Sequence, residues 1–80
     1  MRNQKLIQQI AKVLKDVKSE YRYIAMDQDG KIKGYTGLPQ LLGNHWAVSR
    51  LEDRSIELNL DTYTNDYEHS LFSIEQERFI

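Results

Sequence analysis

The chain has no cysteine, one proline and four glycines in its 80 residues. Without cysteine there is no disulfide, no thiolate nucleophile and no zinc ribbon, so the core closes on aliphatic and aromatic side chains. Such a composition suits a reducing compartment, and a cytoplasmic location is the expectation. A chain of this length buries roughly 60–65% of the surface its unfolded form exposes, enough for one domain with a thin stability margin. Long apolar runs are also missing. A secretory signal takes an unbroken apolar stretch of roughly 7–15 residues, and a spanning helix about 20. The polar start Met1-Arg2-Asn3-Gln4-Lys5 leads only into spaced apolar residues. The expectation is one soluble domain over residues 1–80, without membrane contact.

The net charge of −1 hides an uneven distribution. Residues 1–40 carry eight Lys or Arg against four Asp or Glu, and residues 41–80 carry three against eight. Attraction between the halves within one fold accounts for such a split. The functional alternatives are a basic face for nucleic acid or an acidic face for a basic partner.

Residues Asn3 to Ser19 are predicted to form an amphipathic helix. Leu6, Ile10, Val13 and Val17 recur at helical spacing, Ile7 and Leu14 widen the stripe, and Asn3 suits an N-cap. Tyr21 to Met26 is aromatic and β-branched; Asp27-Gln28-Asp29-Gly30 is a turn signal, and Lys31 to Thr36 returns. These make a hairpin in which Gly34 signals a bulge or a large neighbour, with Trp46 the candidate. After Gly37-Leu38-Pro39, a helical turn is expected at Gln40-Leu41-Leu42, then a turn at Gly43-Asn44 and a third strand from His45 to Ser49. Ser55 to Leu60 is the cleanest strand, with Ile56, Leu58 and Leu60 alternating with polar residues. Tyr63, Tyr67, Leu71 and Ile74 favour a short helix around Asn65 to Phe72 with a loose tail beyond Ile74, although Ser70 to Ile74 also reads as a strand. The expected fold is α+β. An N-terminal helix packs on a three- to four-stranded antiparallel sheet, followed by a short C-terminal helix. Tyr23, Ile32, Trp46, Ile56, Leu58 and Leu60 are the expected core.

No motif of catalysis or metal binding survives a positional test. If Gly30 held the sixth place of a calcium loop, the first and twelfth ligands would be Ala25 and Thr36, neither of them acidic. His45 and His69 lack the spacing of a zinc site. Asp66, His69 and Ser70 have the letters of a hydrolytic triad but fall within five residues, where a nucleophile, base and oxyanion hole rarely meet. The glycines match no phosphate loop. Neither enzymatic activity nor a cofactor is expected.

From Tyr21 to Leu71 the pattern resembles small accessory proteins of tailed bacteriophages and prophages. The resemblance lies in Tyr23-Ile24-Ala25-Met26-Asp27-Gln28-Asp29-Gly30, then Tyr35, Pro39 and Trp46, then Asp66-Tyr67-Glu68-His69-Ser70-Leu71. It implies an accessory role and transfers no catalytic residue.

The leading expectation is a non-enzymatic protein-binding module acting on a host protein through Glu52, Asp53, Glu57, Asp61, Asp66 and Glu68. The alternative is a nucleic-acid-binding domain using Lys5, Lys12, Lys15, Lys18, Lys31 and Lys33. A homodimer is also expected, with Leu38, Leu41, Leu42, Phe72, Phe79 and Ile80 as the apolar surface that association would cover.

Overall fold

A computed structural model describes residues 4–14 and 20–80, with the backbone alone at Leu14. The helix α1 spans Gln4–Leu14, eleven residues without Gly, Pro or a β-branched run. Leu6 and Ile10 are buried and Ile7 and Val13 half-buried, so its stripe is the predicted one. Asn3, Val17, Lys15 and Lys18 lie outside the described residues.

Among the described residues seven strands follow: β1 (Tyr23–Met26), β2 (Ile32–Tyr35), β3 (Gln40–Leu42), β4 (His45–Ala47), β5 (Ser55–Leu58), β6 (Phe72–Ser73) and β7 (Arg78–Phe79). Five of them form one antiparallel sheet in the order β5-β2-β1-β6-β7, while β3 and β4 pair only with each other. The α+β class is therefore as read, but the sheet is larger than expected.

The β1–β2 hairpin turns where the sequence places it. The Asp27 carbonyl accepts the Gly30 N–H, and Gly30 sits at φ 91°, which favours a residue without a Cβ. In the extended register Ile24, Met26, Ile32, Leu58 and Phe72 share one face and close on Leu6 and Ile10 of α1. Ala25 and Tyr35 share the other face, where Trp46 and Leu71 join them and Tyr23, Leu41 and Val48 pack around. The molecule thus has three layers: helix, sheet and a small hairpin. Each fully buried Leu, Ile or Phe adds roughly 1.5–3 kcal/mol of transfer free energy.

Several expectations are corrected. Gln40–Leu42 is a strand, not a helical turn, because it has β4 as a partner across the two-residue Gly43-Asn44 loop. His45–Ala47 consequently belongs to the small hairpin and not to the main sheet. The C-terminal helix is only a 3₁₀ turn at Tyr67–His69, since of the apolar residues that suggested it only Tyr67 lies in the turn, while Leu71 and Ile74 flank β6. The tail beyond Ile74 is not loose. It turns back as β7, with Phe79 edge-on to Phe72 at 5.1 Å. Gly34 faces α1, opposite to Trp46; its close neighbour is Leu58, whose Cδ1 would lie 3.2 Å from an added Cβ. Of the expected core, Ile32, Trp46 and Leu58 are buried, whereas Tyr23, Ile56 and Leu60 are half-buried. No described helix is long and apolar enough to cross a membrane.

Candidate functional site

Two features stand out: a polar junction behind the sheet and a groove beside α1. The junction begins at Asp27, whose side chain is driven inward at the end of β1. Only 6% exposed, it accepts the Trp46 backbone N–H at 2.8 Å and lies 3.5 Å from the Lys33 ammonium. Trp46 in turn donates its indole N–H to the Tyr67 carbonyl at 2.9 Å, and its own carbonyl accepts the Tyr35 hydroxyl at 3.2 Å. Gln28 N–H donates to the Asn44 carbonyl, so the two hairpins are also joined at their tips.

Ser70 completes the junction. The β1–β6 register, continued from Ile24↔Phe72, brings Met26 opposite Ser70. There the fully buried hydroxyl takes the place of ladder groups: it accepts the Met26 N–H at 2.9 Å and lies 2.8 Å from the Tyr67 carbonyl. Tyr63 donates to the Ser70 carbonyl at 2.7 Å. Among the described residues every buried side-chain N or O atom has a hydrogen-bond partner. Burial raises the Tyr35 hydroxyl well above the ordinary tyrosine pKa, and the Asp27 carboxylate raises it further. Burial likewise raises Tyr63, against the lowering effect of its bond to Ser70. The junction's donors and acceptors are thus committed to holding the layers together.

The turn carboxylates are engaged in the same way. Asp29 accepts the Lys31 N–H at 3.0 Å while Asp27 points back into the fold. Among the described residues no group of three His, Cys, Asp or Glu side chains is placed to hold a metal ion. His69 pairs with Asp66 at 2.8 Å on the surface, while Ser70 is turned inward to β1.

The groove lies between α1 and the chain leaving β5. Its larger part, about 560 Å³, is lined by Gln9, Lys12 and Val13 of α1 and by Glu57 to Asp61. A second part, about 300 Å³, continues along the helix past Lys5 and Leu6 to Thr62, Tyr63 and Phe79. Gln9 and Asp61 border both parts, and the Gln9 side-chain carbonyl accepts the Asp61 N–H at 3.1 Å.

The structure divides the predicted contact residues. Glu57 and Asp61 meet at the groove, but Glu52 pairs with Arg50 and Asp53 accepts the Thr36 hydroxyl, both near the β4–β5 turn. Asp66 and Glu68 lie at the 3₁₀ turn. Of the lysines, Lys5 and Lys12 line the groove, whereas Lys31 follows the β1–β2 turn and Lys33 faces Asp27 behind the sheet. For the apolar set, Phe72 is fully buried and Leu41 half-buried, while Leu38 and Leu42 stay exposed. Gln9 was missed by sequence reading. Its signal was a polar residue flanking the apolar stripe, which nothing in the pattern separates from an ordinary solvent-facing position.

Compared with protein-family models, with curated proteins and with solved structures, the chain matches none.

Proposed function

We propose that this chain is a non-enzymatic protein-binding module whose contact surface is the groove along α1. The observation that carries this reading is the groove's lining. Val13, Leu58, Leu60 and Tyr63 supply apolar surface, and Lys5, Lys12 and Asp61 supply charges of both signs. Such a surface suits a protein segment with apolar anchors and flanking charges. The polar junction supports the non-enzymatic part, since its buried groups are engaged in structure. The likeness of residues 21–71 to tailed-phage accessory proteins supplies the setting: a host protein met in the cytoplasm. Nucleic acid is the less favoured partner, because the described lysines divide between the two sides of the sheet.

The test is affinity capture from bacterial lysate with the full chain, followed by titration of the purified captured protein. Lys12→Glu and Asp61→Lys should each weaken that binding at least tenfold, while Glu52→Lys, remote from the groove, should leave it unchanged. Repeated capture of no specific protein, or binding indifferent to both groove substitutions, would sink the reading.

A further inference from the structure

The two edges of the main sheet differ. At one end β7 is two residues long; at the other β5 offers four. The Thr36 N–H donates to the Arg54 carbonyl at 3.0 Å, which sets the alternation of the β2–β5 ladder. Ile56 and Leu58 then exchange backbone bonds with β2, and Ser55, Glu57 and Asn59 turn their N–H and C=O groups outward. Among the described residues no strand pairs with that side of β5. The partner strand β2 begins at Ile32, opposite Leu58, yet burial keeps alternating past it: Asn59 is exposed and Leu60 packs on the core. The strand pattern therefore overhangs its ladder.

We propose that a second copy of the chain occupies this edge, with β5 pairing antiparallel to β5 about a two-fold axis at Leu58. Three symmetric registers keep the outward backbone groups facing each other. Centring on Glu57 sets two carboxylates directly opposite, which is unfavourable. Centring on Ile56 sets Arg54 against Leu58 and leaves Leu60 overhanging. Centring on Leu58 places Glu57 opposite the neutral amide of Asn59 and Ile56 opposite Leu60. The closely spaced pairs are then Ile56, Leu58 and Leu60 alone, on the face that α1 covers. The longer open edge is thereby closed by a self-complementary contact, the commonest form of oligomer.

The groove bears on this directly, because its Glu57–Asp61 wall belongs to the same edge. Across the axis the two grooves face each other and form one cleft walled by both α1 helices, so a single chain presents half a site. Only the use of this cleft rests on the proposed function; the pairing is read from the ladder.

The test measures mass by light scattering on the purified full chain over a dilution series, with no partner added. A short strand pair lies at the small end of specific interfaces, so half-association is expected at roughly 10–100 μM. The mass should approach twice 9.5 kDa at high concentration and fall to 9.5 kDa on dilution. Asn59→Glu, which sets like charges opposite Glu57, should weaken association at least tenfold. Asn59→Lys should tighten it severalfold, and Glu52→Gln, with the same charge change as Asn59→Lys, should do neither. Circular dichroism confirms that each variant is folded. A mass of 9.5 kDa up to about 1 mM, or equal effects of Asn59→Glu and Asn59→Lys, would overturn the proposal. Loss of partner capture with the dimer intact would instead count against the proposed function.

Discussion

Replacing Asp27 by Ala tests whether the small hairpin is held to the sheet by one buried carboxylate. In the native structure that carboxylate accepts the Trp46 N–H at 2.8 Å and its side chain is 9% exposed, so no water readily takes its place. Removing it leaves a buried N–H without a partner and deletes a charge-assisted bond, a loss of about 2–3 kcal/mol. The Lys33 contact contributes little, because at 3.5 Å and partly exposed it falls in the range of about 0–1 kcal/mol. A domain of this size has roughly 4–12 kcal/mol in total, so Asp27→Ala removes a large share. Expressed as Tm, the fall is roughly 10–20 °C. Asp27→Asn keeps an oxygen for the Trp46 N–H and should lose only about half as much. Lys33→Met should cost under about 1 kcal/mol. Urea unfolding followed by far-ultraviolet circular dichroism gives the global transition, and Trp46 fluorescence reports the hairpin. If Asp27→Ala lies within about 0.5 kcal/mol of the parent, or if Lys33→Met matches it, the buried hydrogen bond is not what joins the layers.

Three further outcomes follow from the same geometry. Gly34→Ala presses a methyl to within 3.2 Å of Leu58 Cδ1, in a core with little slack, and should destabilise by about 1 kcal/mol; Gly34→Val should exceed about 2 kcal/mol, and equal stability of all three by urea melts would refute the close approach. Ser70→Ala strands the Met26 N–H and should cost about 1–3 kcal/mol, seen also as faster amide exchange at Met26; unchanged exchange there would be the contrary result. Because the fold raises Tyr35 and Tyr63 above the ordinary tyrosine value of 10.0, their contribution is intact below pH 10 and is lost as pH climbs beyond it, where the unfolded chain releases those protons first. Tyrosinate absorbance should therefore rise in two stages, the second coinciding with loss of circular dichroism; a single early stage for all five tyrosines would contradict the burial.

What the sequence disclosed depended on how local the cause was. The stripe of α1 and the Asp27–Gly30 turn are set by neighbours within a few residues, and both stand where pattern and turn chemistry place them. Gln40–Leu42 is different. Three residues with two leucines carry no period of their own, and only the presence of β4 across Gly43-Asn44 decides for strand. The C-terminal region misled for a related reason. Tyr63, Tyr67, Leu71 and Ile74 have helical spacing, but they do not share one face: Tyr63, Tyr67 and Ile74 pack on the α1-side core, and Leu71 packs on Trp46 behind the sheet. A spacing that one helix face would explain arises here from a chain passing from one side of the sheet to the other.

The site was less legible still, because charge counts ignore pairing. Asp27 and Asp29 look like a cluster of free carboxylates in sequence, yet one is tied to Trp46 and the other closes its own turn. The described lysines of the basic first half likewise divide, with Lys33 behind the sheet and Lys5 and Lys12 in front. What remains is a juxtaposition no linear pattern shows: Lys12 from the helix and Asp61 from the chain leaving the edge strand, set around apolar surface from both elements. Lys12 and Asp61 are exposed, so any pairing between such charges stabilises the fold by no more than about 1 kcal/mol. Their arrangement therefore has little weight in holding the chain together, and it is on such a surface that substitutions affecting a partner can be separated from substitutions affecting the fold.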